Sequence, residues 1–199
     1  MDRNERREAW EELSGTYAER RDPTGTDADL IDDLLAELPP DPLVLDAGCG
    51  DGARTLANLP SGAIGLDFAR EGLSLAAETV PAARLLQGDM TDLPLADNTV
   101  DGITAYFSVF HVPRARHPTV YREFARVLKP GGTLLMTLPE GCFETVRRGW
   151  MGGSMFFSAP GRAATLAQLR EAGFGSHRTK VAADPLGSTS EFVFAGLES

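Results

Sequence analysis

Pro42-Leu43-Val44-Leu45-Asp46-Ala47-Gly48-Cys49-Gly50-Asp51-Gly52 is an apolar run that ends in an acid and three alternating glycines. Short, bounded and apolar, it has the pattern of a buried strand leading into a tight turn. Glycine at 48, 50 and 52 removes every second Cβ, so the backbone can take positive φ and a ligand can approach it closely. Ala53 to Asn58 follows as a short predicted helix whose free N–H groups face the same spot. Strand, glycine turn and helix N-terminus together predict a nucleotide-type site. The glycines alone leave the ligand open, because Gly48-x-Gly50-x-x-Ala53 also satisfies the dinucleotide fingerprint.

Downstream, the pattern repeats with acids. Ala63-Ile64-Gly65-Leu66-Asp67 is a second short strand, and its acid lies one βαβ interval beyond Asp46, where a carboxylate can accept from two ribose hydroxyls. Gly72 to Thr79 reads as a helix, and Arg84 to Gln87 as a third strand running into Gly88-Asp89-Met90. Acids at three strand ends on one edge of a parallel sheet form a constellation. Thr99 to Val109 holds a fourth strand, with Tyr106 and Phe107 at its exit and His111 just beyond. Pro118 to Leu128 reads as an amphipathic helix closed by Lys129-Pro130-Gly131-Gly132, and Thr133 to Leu138 as a fifth strand.

Upstream, Trp10, Leu13 and Tyr17 share one face of a charged helix over Arg3 to Arg20. A second helix starts at Thr26 or Asp27 as N-cap and stops at Pro39-Pro40, so residues 1–40 form a helical cap. From Pro139 to Pro160 periodicity fails, and an irregular substrate lid is expected there, with Arg147 and Arg148 as an anion clamp or a solvated pair, and Trp150, Met155, Phe156 and Phe157 as acceptor lining or packing. Arg162 to Ala172 is a further helix, and Glu191 to Ala195 belongs to one or two last strands. The alternating elements predict a single α/β domain over residues 1–199.

Composition narrows the function. With 42% apolar residues the chain is that of a globular protein, and its N-terminus lacks the apolar core of a signal peptide, so a cytoplasmic protein without membrane insertion is expected. A net charge of −10 argues against a groove that tracks nucleic acid. Of the 19 basic residues only Lys129 and Lys180 are lysines; an acidic, lysine-poor surface fits a salt-adapted host, and high-GC codon usage accounts for the arginines equally well. Cys49 and Cys142 are far apart and lack ligand spacing to any histidine, so neither a zinc site nor a disulfide framework is expected.

The Val44–Gly52 stretch, the acid of Gly65-Leu66-Asp67, the Gly88-Asp89-Met90 turn and Leu128 to Gly132 together resemble the class I S-adenosylmethionine-dependent methyltransferases of the small-molecule, methyltransferase-11-like type, over roughly residues 10 to 197. The resemblance implies a Rossmann-like, doubly wound, seven-stranded, mainly parallel sheet with the last strand antiparallel and helices on both faces. It implies S-adenosylmethionine as cofactor and S-adenosylhomocysteine as product. Gly48, Cys49 and Gly50 would lie against the methionine part, with Asp46 holding its ammonium directly or through water. Asp67 and Phe68 would bind the ribose side, Asp89 and Met90 the adenine edge. Tyr106 and Phe107 would wall the sulfonium end and Tyr17 would close over it. His111 is the candidate general base, its unperturbed pKa being suited to that work. The fourth-strand exit, Ala105-Tyr106-Phe107-Ser108, departs from the Asn/Asp-Pro-Pro-aromatic pattern of amino-group methylases, and Cys142 does not match the nucleophilic cysteine of RNA methylases. A small-molecule acceptor is therefore expected, on a monomer or homodimer. A nicotinamide-dependent oxidoreductase and a non-catalytic S-adenosylmethionine-binding protein are the competing readings.

Overall fold

The computed structural model describes residues 1–199 apart from Pro23, Thr24, Asp184, Pro185, Ser188 and Ser199. Strands β1 (Val44–Ala47), β2 (Ile64–Asp67), β3 (Arg84–Gln87), β4 (Val100–Ala105), β5 (Leu128–Thr137), β8 (Phe174–Ala183) and β9 (Thr189–Leu197) form one sheet in the order β3-β2-β1-β4-β5-β9-β8. Strands β3 to β5 run parallel, and β9 is antiparallel to both its neighbours. This is the predicted doubly wound architecture. The reversal of order beside β1 opens a crevice at the carboxyl ends of β1 and β4.

Alternation along β5 shows how both faces are covered. Leu134 packs with α4 (His117–Val127) and α5 (Arg162–Glu171) through Phe124, Leu166 and Leu169, whereas Leu135 faces α2 (Asp29–Leu35) through Leu30, Ile31 and Leu34. Helix α3 (Arg70–Thr79) adds Leu73 to a smaller cluster with Cys49 and Leu56 under the glycine turn.

Three local expectations differ from the structure. The predicted helix after the glycine turn shrinks to a 3-10 turn, Leu56–Asn58. Asp27 does not cap α2: its carboxylate is buried and bonded to the Arg54 guanidinium, with Nε at 2.9 Å. Pro139 to Pro160 is mostly a two-stranded hairpin, β6 (Cys142–Trp150) and β7 (Gly153–Pro160), separate from the main sheet. Its turn uses positive φ at Gly149, Met151 and Gly152. Strand β6 is exposed and β7 is buried against α1 (Arg3–Arg20), where Met155 and Phe157 pack on Ala9 and Leu13. Helix α1 and the hairpin thus form a roof beside the crevice.

Candidate functional site

A cavity of about 630 Å³ occupies the crevice, within the usual ~300–1,000 Å³ of ligand pockets. The glycine turn is its floor. Gly48 (φ +85) lies under Ser108, whose Cβ would stand 2.3 Å from any Cβ placed at 48, so a side chain there is excluded on two grounds. Gly50 (φ +54) faces open space, with nothing within 4 Å of an added Cβ, so a ligand can lie directly on its backbone. Cys49 lines the same floor, and burial pushes its thiol well up, which leaves it an inert small residue.

The three acids of the strand ends take three different positions. Asp46 does not line the cavity; it is 1% exposed beneath the turn and accepts from the hydroxyls of Thr55 and Thr104, the latter at 2.8 Å. Thr104 is its partner in register on β4. Burial, helped by the charge of Asp67, raises the Asp46 carboxyl to about 6 against those two bonds. Asp67 lines the cavity and accepts from the N–H of Gly50 (3.0 Å) and of Ala69 (2.9 Å), so it both shapes the turn and keeps lone pairs for a ligand. Its pKa is raised, chiefly by burial.

Asp89 lines the far end with Met90 and Gly88. Its carboxylate is held by Arg3 of α1 (2.7 Å) and by Thr91, whose N–H and hydroxyl donate at 3.0 and 2.8 Å. Burial acts to raise its pKa, but these donors outweigh it and the net shift is downward. Helix α1 is tied down again at Glu11, which accepts from Arg70 N (2.9 Å) and Glu71 N (2.8 Å) at the otherwise uncapped start of α3.

Phe68, Tyr106, Phe107, Tyr17 and Trp10 supply aromatic walls. Phe107 carries φ +51, an unusual conformation for a bulky residue. Its N–H donates to Thr137 Oγ1 at 2.9 Å. The Tyr106 hydroxyl donates to the carbonyl of Asp27 at 2.9 Å, and burial raises its pKa, so it is a fixed neutral wall.

His111 reaches the cavity wall from the 3-10 turn Val109–His111. Its Nδ1 lies 2.9 Å from the carbonyl of Phe156; a carbonyl only accepts, so Nδ1 carries the hydrogen and Nε2 keeps a lone pair. The rings of Trp10, Phe110 and Phe157 pack on it at 4.8–4.9 Å. That burial pushes its pKa down to about 4, so the ring is neutral near pH 7.

The structure therefore brings Gly48, Cys49, Gly50, Asp67, Phe68, Asp89, Met90, Tyr106, Phe107, Tyr17 and His111 onto one cavity and leaves Asp46 behind it. Arg147 and Arg148 do not line it: both project from exposed β6, Arg147 with its guanidinium 4.8 Å from the Phe157 ring. Trp150, Met155 and Phe157 pack behind the wall rather than line it, and Phe156 supports it through its carbonyl on His111. The cavity arginines Arg3, Arg6, Arg21, Arg54 and Arg116 carried no sequence signal: Arg3, Arg21 and Arg54 pair with Asp89, Asp51 and Asp27 far along the chain, and Arg6 and Arg116 form no ion pair among the described residues.

Residues 44–132 match the family model described as "Methyltransferase domain". The demethylmenaquinone methyltransferase of Bacillus licheniformis is 37% identical over 119 residues, which cover 56% of this chain and 48% of that protein. This chain thus spans about half the length of the curated relatives it matches. Among solved structures, an S-adenosylmethionine-dependent methyltransferase from Methanosarcina mazei superposes with a TM-score of 0.69 at 19% identity, covering 83% of this chain and 96% of that one. A chain of the complex between the Haloferax volcanii Trm112 methyltransferase activator and a candidate methyltransferase reaches 0.70 at 20% identity, covering 98% and 97%. At these identities the structural likeness shows the fold.

Proposed function

We propose that this chain is a class I S-adenosylmethionine-dependent methyltransferase that methylates a small-molecule acceptor. One observation carries the reading: a single cavity joins the bare Gly50 backbone, the Asp67 carboxylate and the Asp89–Met90 turn to an aromatic wall containing a neutral histidine. Bound S-adenosylmethionine supplies an electrophilic methyl group on sulfur, so the protein's task is alignment and exclusion of water.

Each residue's role follows from its partners. Asp67, fixed by two backbone N–H groups, is placed to accept from ribose hydroxyls. Asp46 holds the turn from below through Thr55 and Thr104. Met90 and Asp89 would hold the adenine edge, with Arg3 fixing the carboxylate. Phe107 and Tyr106 keep water from the methyl-transfer end.

His111 presents Nε2 to the acceptor. At a pKa of about 4 it is too weak to take a phenol-type proton (pKa near 10) in a separate step, which would cost about 8 kcal/mol. It works instead by accepting a hydrogen bond that orients the nucleophile and by receiving its proton only as the new bond forms.

The oxidoreductase reading lacks a proton donor of the usual type: Lys129 and Lys180 are ion-paired to Asp101 and Asp33, and neither lines the cavity. Calorimetry against S-adenosylmethionine, S-adenosylhomocysteine and NAD tests the donor; binding of NAD alone overturns the proposal. Labelled-methyl transfer into a pool of small metabolites, read by mass spectrometry, tests the reaction, and tight donor binding without transfer to any of them favours the non-catalytic reading.

A further inference from the structure

Five arginines line the cavity of a protein whose net charge is −10. Three are matched: Arg3 with Asp89, Arg21 with Asp51, and Arg54 with Asp27. Neither Arg6 nor Arg116 forms an ion pair among the described residues: Arg116 is exposed at the rim, and Asp2 and Asp89 act on Arg6 through their charge without bonding to it. The cavity's acids are also accounted for, Asp51 and Asp89 by ion pairs and Asp67 by two backbone N–H groups, while Asp92 is exposed at the rim. Arg6 is half-buried, its guanidinium 5.5 Å from the centre of the Phe156 ring, and only one of its five N–H donors is used, at 3.0 Å on the carbonyl of Met1. A partly desolvated guanidinium whose only hydrogen bond is to a carbonyl, and whose nearby carboxylates Asp2 and Asp89 are bonded to other groups, keeps donors for an anion.

Position says which anion. Phe156 holds His111 through its carbonyl and carries Arg6 on its ring, which brings the cation close enough for its charge to act on the His111 ring. Along the same wall, His111, Val112, Pro113 and Arg116 follow one another, a polar acceptor, an apolar step and a second cation. Trp10 lines the same cavity, its ring 4.9 Å from that of His111. Building on the methyltransferase reading, we infer that the acceptor is a flat, largely apolar molecule bearing a carboxylate, which Arg6 and Arg116 grip while its nucleophilic atom lies at His111 Nε2. Arginine suits the task because its planar fork matches a carboxylate.

Calorimetry with two matched probes, 4-hydroxybenzoate and the uncharged 4-hydroxybenzamide, tests this with and without saturating S-adenosylhomocysteine. The acid should bind about tenfold or more tighter than the amide. Arg6→Gln and Arg116→Gln should each reduce that preference, Arg6→Lys should restore part of it, and Arg148→Gln, on exposed β6, should leave it intact. S-adenosylhomocysteine affinity should stay within about twofold in all four, which also reports that they fold. Equal binding of acid and amide, no binding of the acid at millimolar concentration, or a preference that survives both Arg→Gln changes overturns the inference. So does a tenfold fall in S-adenosylhomocysteine affinity in either Gln variant, which would assign these arginines to the donor. Wild-type protein that binds no S-adenosylhomocysteine refutes the methyltransferase reading instead, and the acid–amide comparison made without it still decides the anion site.

Discussion

Asp46→Asn distinguishes a carboxylate that supports the glycine turn from one that touches the methyl donor. Its carboxyl is raised from 3.8 to about 6, first by burial and then by Asp67, against the bonds from Thr55 and Thr104. For an acid whose folded pKa exceeds its unfolded one, the native state binds more protons between the two values, so stability falls as pH rises from about 4 to about 6 and stays lower above that. A shift of about two units corresponds to about 3 kcal/mol. Asparagine keeps the shape, accepting from one threonine and donating to the other, and forfeits about 1 kcal/mol of charge-assisted bonding. Urea unfolding between pH 4 and pH 7.5 should therefore show Asp46→Asn gaining on wild type as pH rises, ending about 1 to 2 kcal/mol more stable. S-adenosylhomocysteine affinity should change by less than about threefold, since the carboxylate is sealed from the cavity. A stability difference that does not vary with pH, or a tenfold loss of affinity, would refute the reasoning.

Asp67→Ala should weaken S-adenosylhomocysteine binding by about 1 to 3 kcal/mol, because the ribose hydroxyls and the N–H groups of Gly50 and Ala69 lose their acceptor; unchanged calorimetric affinity would place the ribose elsewhere. His111→Ala should lower single-turnover methyl transfer about 10²-fold with donor affinity intact. In wild type the His111 ring is already neutral above about pH 5, so its titration should leave no step in that rate between pH 6 and 8; a step near 6.5 that vanishes in His111→Ala would show an ordinary, solvated histidine. Glu11→Gln should cost about 1 kcal/mol and speed amide exchange at Arg70 and Glu71, the two N–H groups it caps, and exchange at wild-type rates would show that the tie does not hold α1 in place.

The glycine-turn half of the cavity was legible in the sequence because it is local. Gly48, Cys49 and Gly50 follow one strand directly, and Asp67 and Asp89 recur at the ends of the next two, so spacing alone placed them together. The limits of that reading are physical. A strand-end acid can point up to a ligand or down into the core, and nothing in Val44 to Gly52 announces that Thr55 and Thr104 would claim Asp46 from below. The hairpin was illegible for a different reason: β6 is almost wholly exposed and lacks period-two alternation, its pairing with β7 being set by a turn at Gly149 to Gly152. Adjacency offers Arg147 and Arg148 as a clamp or a solvated pair, and their place on exposed β6 fits the pair, whereas Arg6 meets the cavity because α1 folds over it and Arg116 because the turns after β4 line its wall.

That contrast explains how the two halves of the site are specified. The floor depends on backbone: φ at Gly48 and Gly50 and two N–H groups on Asp67, features that tolerate little substitution and suit a constant donor. The roof depends on side chains from distant segments, with Trp10 and Arg6 from α1, His111 and Arg116 from the turns after β4, and Phe156 from β7 holding two of them. Altering the hairpin, or Trp10 and Arg6 of α1, would change the proposed acceptor's surroundings and leave the turn's own contacts, including Arg21 on Asp51, in place. Chemistry and specificity are therefore separable here: exchanges at Arg6 and Arg116 should alter which acceptor is taken, while exchanges at Asp67 should weaken the donor for every acceptor alike.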